Sequence, residues 1–283
     1  MNWSFKYLFL IIPLFAFGQI KPKQPAIDIN TIYTTIDSLS YSNLFENSFV
    51  TDTLFFCKEN SSTTDKESYT GKYFIGKAAT IEFFKPMNTT SSGDTFGDIG
   101  IEFKTRKIDQ LQHFKNNSNK IDTTYINYDS IKMPWYKSLK SNYLNNHTDV
   151  VVLEYQKEYL SFLGFSDQEI NSEMTYSQFN AKLSGGKKYP RKFNTFKSIE
   201  LNLKKEEFEN LKKCIVNFGG SVHKKKLSIN GFEIICYIKK QEQFRLKQIV
   251  IDLTDKVPHK KIKISDLITI ETKNKIAIIK FKS

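Results

Sequence analysis

Alternating apolar and polar positions divide this chain into strands, with short helical stretches between them at regular intervals. Ile27 to Ile36 reads as an apolar strand. A short helix is predicted over about Leu39 to Phe49, where Leu44, Phe45 and Phe49 give partial helical spacing. Strands are predicted near Leu54 to Lys58, Tyr69 to Ile75 and Ala79 to Phe84, and Pro86 with the polar run Asn88 to Asp94 ends the unit. The order β-α-β-β-β then returns. Asp98 to Lys104 reads as a strand and Ile108 to Phe114 as a short helix, with further strands near Thr123 to Tyr128, Trp135 to Leu139 and Val150 to Gln156.

The segment 161–195 breaks the pattern. It is helical over about Ser166 to Gln178 and basic after Gly185, and is expected to be a connector packing on the pair. A third unit follows in 196–283. Ser198 to Leu203 is its first strand. Glu206 to Phe218 is its helix, with Phe208, Leu211, Ile215 and Phe218 on one face. Gly219-Gly220 stops that helix, and Asn230-Gly231 predicts a tight hairpin between Ser221–Ile229 and Phe232–Ile238. Arg245 to Leu253 is expected as the unit's last strand, and Ile262 to Phe281 as a strand pair reversing around Lys273 to Lys275. The prediction is an α+β protein of repeated β-α-β-β-β units forming a curved mixed sheet. An odd number of units leaves the third to pair with the tail or with a second copy of the chain, as a homodimer.

Composition fits a folded protein, with 40% hydrophobic and 14% aromatic residues in 283. The amino-terminal segment is different. Lys6 precedes the apolar run Tyr7 to Phe17, and Ala16-Phe17-Gly18 offers small residues for cleavage. Residues 1–18 are therefore expected to be a secretory signal and 19–26 a leader, placing the mature chain in the periplasm or outside the cell. No stretch is long and apolar enough for a comfortable transmembrane helix. The formal charge of +12 is carried mostly by lysine. Nucleic acid is not expected as a partner, because arginine forks are scarce, whereas weak contact with acidic glycan or the envelope would suit such a surface. The three cysteines form no framework; Cys214 and Cys236 fall on apolar faces and read as buried thiols, with a disulfide between them the alternative in an oxidising compartment.

Candidate chemistry lies in three strands that carry carboxylates among apolar residues: Thr80-Ile81-Glu82-Phe83-Phe84, Gly97-Asp98-Ile99-Gly100-Ile101-Glu102-Phe103 and Val150-Val151-Val152-Leu153-Glu154-Tyr155. A half-buried carboxylate is costly unless a partner, a cation or water compensates it. In the second of these strands Asp98, Gly100 and Glu102 share one face. Trp135 and Tyr136, after Pro134, are candidates to stack on a ligand. The alternative for each carboxylate is solvation, or pairing with a lysine such as Lys72 or Lys104.

The repeated units and these strand motifs resemble the vicinal oxygen chelate superfamily, the glyoxalase and dioxygenase fold, over about 27–160. Tyr69-Thr70-Gly71-Lys72-Tyr73-Phe74-Ile75-Gly76 also has the form of a stretch found in an uncharacterised glyoxalase-like family of exported bacterial proteins. The resemblance implies two paired units cupping a metal, with Glu82 and Glu154 as ligands on the fourth and eighth strands. Asn30 and Asp98 stand where that superfamily places histidines. Such an all-oxygen set would prefer magnesium, manganese or calcium over zinc or nickel. Three functions stay open: a non-catalytic binder of a small oxygenated ligand, a divalent-metal-dependent lyase, isomerase or dioxygenase, and a surface or partner-binding protein. No catalytic residue is assigned.

Overall fold

The computed structural model describes residues 24–87, 95–116, 119–128, 130–141, 147–184, 191–240 and 245–282. The expected secretory signal, the expected leader up to residue 23, the polar run 88–94 and the basic run at 185–190 lie outside the described residues.

Two β-α-β-β-β units build the first sheet. In the first unit β1 (Ile27–Thr35) pairs in parallel with β4 (Thr80–Phe84), and β3 (Ser68–Ile75) and β2 (Phe56–Thr63) follow outward as an antiparallel meander. The second unit repeats this, with β5 (Ile99–Thr105) parallel to β8 (Thr148–Tyr155), then β7 (Ile131–Ser141) and β6 (Asn119–Tyr128). The units join by antiparallel pairing of β1 with β5, giving the order β2-β3-β4-β1-β5-β8-β7-β6. The sheet is a strongly curled, glyoxalase-like half-barrel. Its edge strands meet at one rim, where Thr64 bridges Ile126 and Asp65 N donates to the Tyr125 carbonyl at 3.0 Å.

The third unit forms the second sheet by the same rule. Strand β9 (Phe193–Leu203) pairs in parallel with β12 (Phe232–Ile238), flanked by β11 (Lys226–Ile229) and β10 (Ser221–His223). Strand β13 (Leu246–Lys263) is antiparallel to β9, the place β5 holds beside β1, and β14 (Ile268–Phe281) completes the sheet. The third unit thus pairs with the tail of its own chain. Two expected boundaries differ. The run Ser221–Ile229 is folded at Lys224, which has φ 54°, so Phe232–Ile238 is the unit's fourth strand and Arg245–Leu253 leads into β13. The tail reverses at 264–267, not near Lys273–Lys275, because the Ser265 hydroxyl accepts from Leu267 N and Ile268 N and closes the turn without a glycine.

In the first two units the helices are shorter than the periodicity predicts, while the third unit's helix has the predicted length. Helix α1 (Ser38–Asn43) is capped by Asp37, and Phe49–Leu54 forms one wide π-type turn. Over the predicted Ile108–Phe114 helix the chain makes only a 3-10 turn, Leu111–Phe114. The connector forms α2 (Lys157–Phe162), α3 (Asp167–Asn171) and α4 (Tyr176–Leu183). Ser166 with Glu169 and Thr175 with Gln178 form two capping boxes, which start two helices where one was expected. Helix α5 (Lys205–Asn217) ends at Gly219, whose φ of 84° suits its place after the C-terminus. Among the described residues no helix is long and apolar enough to cross a membrane.

Alternation along the strands decides the packing. On the outer face of the half-barrel Ile32, Phe83, Ile101, Phe103 and Val152 are buried, and they share one core with Ile199, Leu201, Ile234 and Ile249 of the second sheet. Phe103 and Phe232 meet edge-on across it, with ring centroids 6.3 Å apart. Cys214 and Cys236 are buried in the same core and are not joined by a disulfide. A smaller cluster of Leu160, Phe165, Ile170 and Phe179 in the connector helices packs against Tyr155 and Ile108. Asp28 of β1 ties this cluster down, accepting from Arg106 at 2.7 Å and from Tyr176 N at 2.9 Å.

Because both sheets share one core, Phe103→Ala is expected to destabilise the whole chain by about 3–5 kcal/mol. Differential scanning calorimetry should show a single transition at lower temperature, not loss of one sheet with survival of the other.

Candidate functional site

The inner face of the half-barrel faces a cavity of about 570 Å³. Strand alternation places Glu82 and Phe84 of β4, Tyr33 of β1, Glu102 of β5, Asp149, Val151 and Leu153 of β8, and Tyr136 and Ser138 of β7 on this lining. The β2–β3 turn, from Thr63 to Ser68, covers one side. It is held to the opposite edge by Lys66, which donates to Asp122 and, at 3.1 Å, to Thr124.

Two glycines seat aromatic rings on this face. A Cβ on Gly100 would lie 1.9 Å from the Tyr33 ring, and one on Gly71 would lie 2.7 Å from Phe84. With no side chain at 100, the Tyr33 ring lies over β5 and its hydroxyl donates to Asp149 Oδ2 on β8 at 3.0 Å. Lys140 Nζ reaches the same oxygen at 2.8 Å. Phe84 packs edge-on between Tyr33 and Tyr69, with centroids 6.3 and 5.7 Å away.

Two carboxyls stand among these rings. Glu82 is paired in register with Tyr33 on one side and Tyr73 on the other, and burial raises its pKa well above the ordinary range, with the nearby Glu102 pushing it further. Burial also lifts Glu102, to about 7, against the pull of Lys140 and with an added push from Asp149. Thr31 and Asn30 hydrogen-bond the Glu102 carboxyl. Asn30 is the extra residue of a bulge in β1, where the register slips between Ile29 and Thr31. Its side chain is 2% exposed and its Oδ1 has no hydrogen-bond partner.

The four residues expected as metal ligands do not come together. Glu82 lines the cavity, and Asn30 reaches it through Glu102. Asp98 falls short of the ladder, which begins at Ile99. The chain bends at Gly97, with φ 89°, and the Asp98 carboxylate turns into that loop to accept from Thr95 N at 3.0 Å and to contact His147 Nδ1 at 2.8 Å. Glu154 follows the parity of Val152, so it lies on the outer face. There it accepts from Gln110 N at 2.7 Å and Leu111 N at 2.9 Å, capping the 3-10 turn. Among the described residues no group of three or more histidine, cysteine, aspartate or glutamate side chains is placed to hold a metal ion. The donor set that does converge, Glu82 with Glu102, does not fit the expected four-ligand site.

Of the two expected stacking residues only Tyr136 lines the cavity. Trp135, one residue earlier, is turned away by strand alternation and packs on Tyr159 of α2 at 6.0 Å. The lysines considered as carboxylate partners serve elsewhere. Lys72 donates to the Tyr41 and Ser42 carbonyls, and Lys104 lies over the Tyr155 and Phe179 rings. Burial lowers the Lys104 pKa to about 8 despite Asp28 and Glu154 nearby. Glu102, Tyr33 and Asp149 are site residues that the motifs do not single out, although Glu102 shares its face with Gly100.

The raised pKa of Glu102 links stability to pH. Its carboxyl binds a proton more tightly folded than unfolded, so its favourable contribution is present below about pH 4.5 and is lost as pH rises through about 7. Glu102→Gln, which cannot ionise, is expected to reduce the wild-type fall in stability between pH 5 and pH 8 by about 2–3 kcal/mol. Thermal melts of both proteins across that range check this; parallel curves would contradict it.

A model of a family of unknown function, DUF5829, matches residues 29–281, so the chain belongs to that family. No curated protein matches it. A solved structure titled as a putative dioxygenase from Bacillus subtilis aligns at 11% identity over 75% of this chain and 86% of its own, with a TM-score of 0.16, and carries no weight for function.

Proposed function

We propose that this member of the DUF5829 family is a glyoxalase-like protein that binds a small oxygenated ligand in the cup of its paired units, without catalysis. The cavity carries this reading. It is large enough for a compact metabolite, concave, and lined by aromatic rings beside a few convergent polar groups, the usual make-up of a small-molecule site. Tyr33, Phe84 and Tyr69 offer apolar ring surface, while Ser138, Tyr136 and the carboxyls of Glu82 and Glu102 supply hydrogen-bonding groups. The amino-terminal apolar run supports an exported location. Asp98 and Glu154 lie outside the cup, and the acids that line it form no group of three placed to hold a cation among the described residues, which favours a binder over a metal-dependent enzyme.

A ligand of this cup should raise the melting temperature by mass action, and excess chelator should not abolish the rise. Ser138→Trp, which fills the cavity from β7, is expected to cut the affinity of any such ligand at least about tenfold. Screening a metabolite library by thermal shift against wild type and Ser138→Trp tests this. Hits that bind both proteins equally, or only with added metal, would overturn the reading.

A further inference from the structure

The inner face of the cup sets two buried carboxyls, Glu82 and Glu102, beside aromatic rings. Glu82 and Glu102 make no ion pair among the described residues, although the chain as a whole carries +12. Of the three lysines that line the cavity, Lys66 pairs with Asp122, Lys85 lies over the Tyr41 ring at 4.8 Å, and Lys140 pairs with Asp149 while pulling on Glu102 without bonding it. Behind Glu102 the buried Asn30 Oδ1 accepts from nothing. Beside the acids stand three rings, Tyr33, Tyr69 and Phe84, packed edge to face so that ring surface is held against the cavity. Aromatic faces and carboxylates attract the same kind of group, a cation.

We propose that the ligand carries an ammonium group, seated between Glu82 and Glu102 and against the Tyr33, Tyr69 and Phe84 rings. This rests on the cup being a ligand site. An ammonium brings three donors and one positive charge to a place that offers acceptors and rings. The rest of such a ligand, a hydroxylated chain or ring, meets the hydroxyls of Tyr136 and Ser138. Entry of the cation favours the ionised form of both carboxyls, so the charge they would otherwise bury alone becomes paired.

The test compares two probes that differ in one group. Glucamine and sorbitol share a hydroxylated six-carbon chain, and glucamine has a terminal ammonium where sorbitol has a hydroxyl. Each is titrated calorimetrically at pH 7.5, up to 20 mM, into the full mature chain and into its Glu82→Gln/Glu102→Gln variant. Both glutamines keep the shape of the side chains, and the variant's melting curve shows whether it is folded. Glucamine is expected to bind at least about tenfold more tightly than sorbitol, and to lose that advantage in the variant. Equal or tighter binding of sorbitol would overturn the ammonium and leave the cup a site for neutral ligands. Glucamine binding unchanged in the folded variant would overturn the assigned seat. Failure of glucamine to bind would also overturn the ammonium, while the cup itself stands or falls by the library screen.

Discussion

Everything in this molecule depends on which face of the first sheet is dry. The outer face, with Ile32, Phe83, Ile101, Phe103 and Val152, is buried against the second sheet, and the two-residue period of a strand then sends the intervening residues inward. Glu82, Glu102 and Tyr33 face the cup because their neighbours in sequence are core. A slip of one residue in the pairing of β1 with β5 would exchange the faces and bury the acids in the core, so the register is held by the hydrophobic contacts themselves.

The same constraint explains why the chain needs its third unit. A paired sheet with one apolar face would be left wet on the outside. The second sheet covers that face, and β13 with β14 does for the third unit what a fourth unit would do, pairing beside β9 as β5 pairs beside β1. Inside the cup the consequences are electrostatic. The two carboxyls are held among rings, and burial raises both pKa values; Glu102 then pushes Glu82 further up, while on Glu102 the pull of Lys140 is opposed by Asp149.

Much of the fold was legible in the residues. The three β-α-β-β-β units, the Asn230-Gly231 hairpin and the stop at Gly219 follow from alternation, helical spacing and turn chemistry. The misplaced boundaries turn on single residues: Lys224 adopting a left-handed conformation, Ser265 closing a turn, and two capping boxes dividing one expected helix. The site was legible only in part. Glu82 and Tyr136 line the cavity, a placement that strand parity alone gives. Asp98 and Glu154 were matched by motif. Asp98 lies before the ladder begins, and Glu154 shares the parity of the core, so neither reaches the cup. Glu102 carried the right parity without a motif to mark it.

The most direct measurement is the titration of the Glu82 and Glu102 side-chain carboxyls by carbon NMR in the protein, assigned with the single glutamine variants. The account predicts that Glu102 titrates near 7 and Glu82 above the ordinary carboxylate range, each shifting when the other is replaced. Independent titration of both near 4.5 would mean that the acids are solvated and not paired inside the cup, and would contradict the site described here.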